Sequence, residues 1–136
     1  MKLLPKVFVV DDDPAVLKSL EALLTTHGYT VKGYTSAEEF LAEHHPTQVG
    51  CVLVNLLMPG LRGSELLRRL RESGSQLSVV LISGLIDTTA GQEEESASVP
   101  LIDMPYDAST LLTMVEDGVA NSLRRRALKG GGTSKQ

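Results

Sequence analysis

The alternation of short apolar runs with helix-like spacing constrains this chain more than any other feature. Five runs of strand length alternate with stretches of helical pattern. Such alternation is typical of consecutive βαβ units, which build a mostly parallel sheet with helices on both faces. A chain of 136 residues with 42% hydrophobic residues has room for one domain of this kind, but not for two. The predicted strands are Val7–Val10, Tyr29–Tyr34, Cys51–Val54, Leu77–Ile82 and Val99–Asp103.

Local signals place the ends of several predicted helices. Asp13 precedes Pro14 as an N-cap candidate, and Gly28 is the expected stop of that first helix. Ser36 and Glu39 have the spacing of a capping box that opens the second helix.

The fourth predicted helix has the weakest signal, because "DTTAGQEEESAS" has almost no apolar stripe and contains three adjacent glutamates. We expect it to be short, exposed or mobile.

The C-terminal helix is predicted from the apolar stripe that begins at Leu111, and it is expected to end near "RRRALK". The "GGGTSKQ" that follows is typical of a flexible linker or a ragged end. Residues 1–125 are therefore assigned to the domain and residues 126–136 to a basic, glycine-rich linker or disordered tail. Arg124–Arg126 and Lys129 are interpreted as a solvated last turn, with a basic hinge to a DNA-binding output domain as the alternative.

Composition argues against several classes of function. The net charge of −4 disfavours a nucleic-acid surface over the whole molecule, because neutralising phosphates takes clustered Lys and Arg. The single cysteine, Cys51, lies in an apolar strand pattern and predicts a buried, reduced thiol. The start "MKLLPKVFVVDDD" lacks a signal-peptide core, and no apolar run has the length of a membrane span. We therefore expect a soluble, cytoplasmic protein with no membrane partner.

Three consecutive carboxylates, Asp11, Asp12 and Asp13, follow the first predicted strand directly. In an open α/β sheet this is the carboxyl edge, where ligands bind. Carboxylates this close repel one another unless a hard cation such as Mg²⁺ lies among their oxygens, so the cluster predicts a cation site, although Asp13 alone is explained as a helix cap. The same charges exclude a phosphate-binding loop, which needs glycines or hydroxyls at this place.

Asn55 stands at the end of the third predicted strand, again at the carboxyl edge. An amide is a poor nucleophile, a weak metal ligand and no base, so position 55 raises the question of whether the site is reactive or disabled. A satisfied polar residue at a strand end is the simplest alternative for Asn55.

The three histidines are not expected to form a site. They are His27, His44 and His45, and they lie at predicted helix ends.

The chain resembles the receiver domains of two-component response regulators in the order and spacing of its motifs. The paired acids Asp11 and Asp12 come first, and Asn55 is followed by "LLMPGLRG". Ser83 then lies in "LISG" and Pro105 in "DMPY". The resemblance covers nearly the whole chain. It implies a single doubly wound α/β domain, a flavodoxin-like sheet of five parallel strands in the order 2-1-3-4-5.

The resemblance also implies a role for each of these positions. Asp11 and Asp12 would hold Mg²⁺, and residue 55 would be the aspartate that accepts a phosphoryl group. The Ser83 hydroxyl would follow the phosphoryl oxygens, and residue 104 would be a lysine paired with the phosphate. The Met104–Pro105 peptide bond would be cis.

The sequence departs from the family pattern where the chemistry is done. Position 55 is Asn55, whose neutral amide oxygen cannot form an acyl phosphate. Position 104 is Met104, which lacks the charge that lets Lys pair with a phosphoryl group. The switch position in the fifth strand, usually aromatic in the family, is Leu101. Losing a carboxylate and a lysine together leaves the local charge unchanged.

These departures predict a degenerate receiver, a regulatory module in phosphorelay signal transduction that works without aspartyl phosphorylation and is not an enzyme. Its predicted partners are proteins, namely a histidine kinase, an output domain or a regulator. They would bind through the last two helices and the fifth strand, a surface that also suits a homodimer. Nucleic acid is expected only through an output domain absent from this chain. Mg²⁺ is expected to bind weakly at Asp11 and Asp12.

Several alternatives stay open at this stage. Asn55 could be an engineered change in an ordinary receiver, which would leave the other departures unexplained. Asp11 and Asp13 form a D-x-D pattern that, with Ser83, is similar to the first motifs of haloacid-dehalogenase-type phosphatases. Ser83 alone could be a strand-end hydroxyl bonded to backbone, and Met104 alone a core filler.

Overall fold

Five parallel strands form the centre of the molecule, and the computed structural model describes residues 5–56, 63–83 and 99–134 of the chain. The strand order is 2-1-3-4-5, which confirms the predicted flavodoxin-like sheet. Each predicted strand is present, and each of its ends lies within two residues of the prediction. The strands are β1 (Lys6–Val10), β2 (Thr30–Tyr34), β3 (Gly50–Asn55), β4 (Ser78–Ser83) and β5 (Leu101–Asp103).

The described helices lie on both faces of the sheet, as the alternating pattern predicts. They are α1 (Pro14–Thr26), α2 (Ala37–Glu43), α3 (Gly63–Glu72) and α4 (Ala108–Ser134). The weak helix predicted within "DTTAGQEEESAS" lies outside the described residues.

The core is divided by the sheet into two apolar layers. Helices α2 and α3 pack on one face, where Phe40 meets Phe8 and Tyr34 edge to face with ring centroids 5.5 Å apart in both pairs. Helices α1 and α4 pack on the other face. Strand β3 is buried on both sides as far as Val54, which its nearly continuous apolar sequence requires of a central parallel strand.

The predicted helix signals are confirmed, with one difference. The Asp13 carboxylate accepts the Ala15 N–H at 3.0 Å as the N-cap of α1, whose C-terminal end is followed by Gly28 with φ of 91°. Ser36 accepts the Glu39 N–H at 3.1 Å. The Glu39 carboxylate bonds to Thr35 and not to the Ser36 N–H, so only half of the capping box forms.

The C-terminal helix is longer than predicted. Helix α4 continues through Gly130–Gly132 to Ser134, whereas the glycine run was expected to end it near Lys129. A glycine disfavours a helix by about 1 kcal/mol relative to alanine, which weakens a helix without terminating it. The division of the chain into a domain of residues 1–125 and a tail of residues 126–136 stays a prediction.

A buried polar network fixes α4 to the amino edge of the sheet. The Ser122 hydroxyl, with no exposed surface, accepts the Gly50 N–H at 2.9 Å and donates to the Gln76 carbonyl at 2.7 Å. The Arg125 guanidinium donates to the same carbonyl and to the Ser78 hydroxyl, at 3.1 and 2.7 Å. Arg125 is exposed, as the prediction of a solvated arginine turn requires, but it also bonds to two acceptors at the amino edge of the sheet, which the sequence did not indicate.

Replacing Ser122 with alanine is expected to lower the free energy of unfolding by about 1–3 kcal/mol, since the buried Gly50 N–H loses its acceptor. Urea unfolding measures the change. The control is Ser109→Ala, which removes an exposed hydrogen bond on the same helix and should stay within about 0.5 kcal/mol of the unmodified protein. Equal losses in the two variants would contradict the role of the network.

Candidate functional site at the carboxyl edge

Four strand ends meet at the carboxyl edge of the sheet and bring the predicted site positions onto one side. Asp11 follows β1, Asn55 and Ser83 end β3 and β4, and Met104 follows β5. Their relative positions are fixed by the ladder, because Asn55 is in register with Ile82, and the Met104 N–H donates to the Ser83 carbonyl at 2.9 Å. Residues far apart in sequence therefore lie at the ends of neighbouring strands.

Asp11 is the buried carboxylate of this site, with 4% of its surface exposed. One of its oxygens accepts the Asp13 N–H at 2.9 Å, and the side chain of Asn55 is near enough to lower the pKa of its carboxyl group by hydrogen bonding. Burial raises the pKa of Asp11, and the nearby charges of Asp12 and Asp13 raise it too, whereas the two hydrogen bonds lower it. An amide can donate to a carboxylate, which a second carboxylate at position 55 could not do.

The other two acidic residues have different environments. Asp13 is exposed and its side chain is used as the helix cap, as the sequence predicts. Asp12 is exposed at the same edge. The carboxylates of Asp11 and Asp12 and the amide oxygen of Asn55 would be the hard oxygen donors to a Mg²⁺ ion here, a set that carries one negative charge fewer than three carboxylates would. The described part of the chain gathers no cluster of three His, Cys, Asp or Glu side chains.

Tyr106 is a member of this site that sequence reasoning missed. Its side chain is half-buried, and burial together with the negative charge of Asp11 raises the pKa of its phenol. Its only sequence signal is its position immediately after Pro105.

Ser83, at the end of β4, is buried, with 6% of its surface exposed.

The fifth strand presents two apolar side chains to solvent. Met104 is 39% exposed and Leu101 is 42% exposed, so the alternative of Met104 as a core filler is wrong. Met104 is exposed because it directly follows β5, which among the described strands is an edge strand paired with β4 alone. The Met104–Pro105 peptide bond is cis, as predicted.

The histidines do not gather into a site, in agreement with the sequence. His27 contacts the Leu23 carbonyl through Nδ1 at 3.0 Å, and His44 contacts the Ser75 hydroxyl through Nε2 at 3.1 Å.

The prediction of a buried, reduced cysteine is confirmed, because Cys51 is a free thiol that is completely buried. Burial raises its pKa to about 12, so the thiol stays protonated at neutral pH.

Replacing Asp11 with asparagine is expected to stabilise the fold at neutral pH. A folded-state pKa above the unfolded one means that the folded protein binds this proton more tightly, so the Asp11 contribution to stability falls as pH rises through the raised pKa. The gain of Asp11→Asn should therefore be full at pH 7 and vanish below the ordinary value of 3.8. Urea unfolding across this pH range, without divalent cations, checks it. Asp12→Asn, at an exposed position, should change stability less, and a loss of stability in Asp11→Asn at pH 7 would contradict the argument.

The fold and the polar strand ends together define a doubly wound α/β domain with its site at the carboxyl edge. The family model of the response regulator receiver domain matches residues 7–116, and the chain belongs to this family. This confirms the resemblance at the level of the family and the fold.

Relatives and solved structures agree with this family. The chain is 32% identical over 117 residues to the transcriptional regulatory protein FixJ of Azorhizobium caulinodans, covering 85% of this chain and 56% of that protein. It is 37% identical over 107 residues to the response regulator protein TmoT of Ectopseudomonas mendocina, covering 78% and 49%. The chain thus spans about half the length of these curated relatives.

Two solved structures show the same similarity in three dimensions. The response regulator StyR superposes with a TM-score of 0.84 and 29% identity, over 96% of this chain and 67% of that one. FixJ-N superposes with a TM-score of 0.77 and 31% identity, over 88% of this chain and 96% of that one.

No helix in the described part of the chain is long and apolar enough to cross a membrane.

Proposed function

We propose that this receiver domain is a regulatory module of two-component signal transduction that works without aspartyl phosphorylation. The observation that carries the proposal is Asn55 at the end of β3, on the same edge of the sheet as the buried Asp11. Receivers need a carboxylate nucleophile at this place, and a neutral amide oxygen lacks the charge to attack phosphorus. Beside Asp11, the Asn55 amide instead lowers the pKa of a buried carboxyl group.

Met104 supports the same proposal. It follows the strand adjacent to that of Ser83, at the position where a lysine would pair with a phosphoryl group. A thioether makes no charge-assisted hydrogen bond, so the charge of a phosphoryl group would stay without this partner. Nucleophile and cation are therefore replaced together, as expected of a site that no longer handles phosphate.

Mg²⁺ is expected to bind weakly, because Asp11 and Asp12 supply two carboxylates and Asn55 only a neutral oxygen. When bound, the ion would offset the carboxylate charges; the chain's own groups hold it and do no further chemistry. Calorimetric titration with MgCl₂ should give binding only in the millimolar range, and Asn55→Asp should strengthen it. Tight binding to the unmodified protein, or no gain in Asn55→Asp, would contradict this assignment of the donors.

The working surface is proposed to be β5 and α4 together with the segment predicted as the fourth helix. Leu101 and Met104 support this choice because they expose apolar surface on an edge strand, a common feature of protein contacts. The proposed partners are a histidine kinase, an output domain or a regulator, with a homodimer through the same surface. FixJ and TmoT are about twice as long and are named as regulators, which favours an output domain in the complete protein, and nucleic acid only through it. We place the module in the cytoplasm and assign it no enzymatic activity.

Switching without phosphorylation requires only a partner that binds one conformation better than another. A ligand shifts a conformational equilibrium by its differential affinity, so partner binding can replace the phosphoryl group as the input. Retention of the fold and of the exposed β5 surface is consistent with such use.

Amide nuclear magnetic resonance spectra test the proposal. Spectra of the unmodified protein with Mg²⁺ should be the same with and without a small acyl-phosphate donor. A new set of peaks around residues 55 and 83 that requires the donor would refute phosphorylation independence.

The phosphatase alternative has lost its support. The chain belongs to the receiver family, and Asp13, the expected second acid of that motif, caps α1. Turnover of an aryl phosphate with Mg²⁺ is therefore expected to be absent. Turnover that Asp13→Asn abolishes would reinstate this alternative.

A further inference from the structure

A cavity of about 620 Å³ opens at the amino edge of the sheet, between α3 and α4, on the opposite side from the carboxyl-edge site. Its apolar wall includes Leu70 of α3, Val79 of β4 and Met114 of α4. The volume lies within the range of small-molecule pockets, which combine an apolar wall with a few polar groups.

The cavity lies beside the part of β4 that β5 does not reach. Pairing between β4 and β5 begins only at Leu81 and Leu101, so the first half of β4, Ser78–Val80, is not flanked by β5. The chain enters β5 through Val99 and Pro100, which form part of the cavity wall. Among the residues that the structure describes, the amino half of β4 therefore faces the cavity between α3 and α4.

Two arginines give the cavity its charge. Arg71 and Arg125 both line it, and the pKa of Arg125 is lowered first by burial and then by the positive charge of Arg71. Within the described residues neither forms an ion pair, since Arg125 donates only to the Gln76 carbonyl and the Ser78 hydroxyl. Asp117 also lines the cavity and leaves it net positive. Like charges at an apolar wall favour an anion.

We propose that this cavity binds a small anionic amphiphile, with its acidic head beside Arg71 and Arg125 and its apolar body against Leu70, Val79 and Met114. Guanidinium groups pair with carboxylate, sulfonate and phosphate oxygens through charge-assisted hydrogen bonds. The apolar wall supplies the burial that holds the body of the ligand. The site is independent of Asn55 and of the proposed function.

Fluorescence titration with anilinonaphthalene sulfonate, an anionic amphiphile, tests the proposal on the full chain, with neutral phenylnaphthylamine as the uncharged comparison. One saturable sulfonate site is expected. Arg71→Gln should weaken sulfonate binding at least about fivefold, as loss of a partly exposed cation does, and leave the neutral dye unchanged. The matched control is Arg69→Gln on the same helix, which is paired with Glu65 outside the cavity. Met114→Trp should fill the cavity and weaken both dyes.

Several outcomes would overturn the proposal. The first is sulfonate binding that does not saturate. The second is equal sulfonate affinity in Arg71→Gln and Arg69→Gln. The third is unchanged binding of both dyes in Met114→Trp, provided that amide spectra show the variants to be folded. Binding that appears only after Glu93, Glu94 and Glu95 are changed to glutamine would also overturn it, because the chain's own acidic segment would then be the occupant.

Discussion

The double variant Asn55→Asp/Met104→Lys is expected to accept a phosphoryl group from a small acyl-phosphate donor with Mg²⁺, at least about tenfold faster than Asn55→Asp alone. Asn55→Asp restores the nucleophile, but it also replaces a neutral amide beside Asp11 with another negative charge. The pKa of the new carboxylate should therefore be raised, and it should react slowly. Met104→Lys adds the missing cation. Intact-protein mass spectrometry over time gives the rates.

The chain offers a matched control for the position of the cation. Leu101→Lys makes a similar apolar-to-lysine change on the same edge strand, at a side chain about as exposed as Met104 but three residues away. Combined with Asn55→Asp, it should not raise the rate, and Met104→Lys alone should not react. The gain should be non-additive, because both groups act on one phosphoryl group. If Asn55→Asp alone matched the double variant, Met104 would have no part in the lost chemistry.

Replacing Gly50 with alanine is expected to have the largest effect on stability, a loss of at least about 3 kcal/mol in the free energy of unfolding. Gly50 has φ of 138°, which side-chain-bearing residues rarely adopt, and an added Cβ would overlap the Lys6 carbonyl oxygen on the neighbouring strand. The obstacle is backbone, so it cannot rotate away. Urea unfolding measures the loss, and a variant too unstable to purify lies at the upper end of this expectation.

Gly28→Ala separates the conformational effect from the steric one. Gly28 also has positive φ, 91°, but nothing lies within 4 Å of the position that a Cβ would occupy. Its replacement should cost only about 1 kcal/mol, the strain of a left-handed conformation. Similar losses in the two variants would show that the contact with Lys6 does not matter.

The periodic features of the chain were predictable from sequence. Apolar runs bounded by turn residues gave the five strands, because burial of a parallel strand on both faces leaves a nearly continuous apolar run. The side of the sheet that carries Asp11, Asn55 and Ser83 followed from the same rule, since all parallel strands end at one edge. The local caps at Asp13 and Ser36 were predictable because they depend on neighbours a few residues away.

Contacts between distant residues were not predictable. Ser122 and Arg125 appeared to belong to an ordinary helix end, and their bonds to Gln76, 46 and 49 residues earlier, arise only when α4 lies against the sheet. The constraint on Gly50 likewise depends on Lys6 in another strand. The exposure of Met104 depends on β5 being an edge strand, which is a property of the sheet and not of the local sequence.

We propose that this receiver cannot be phosphorylated because Asn55 occupies the place of its nucleophile. The most direct test is the intact mass of the unmodified protein after incubation with a small acyl-phosphate donor and Mg²⁺, with the double variant as the positive control. The account predicts no gain of a phosphoryl group under conditions that modify the double variant. A phosphoryl group found on any aspartate of the unmodified protein would contradict it.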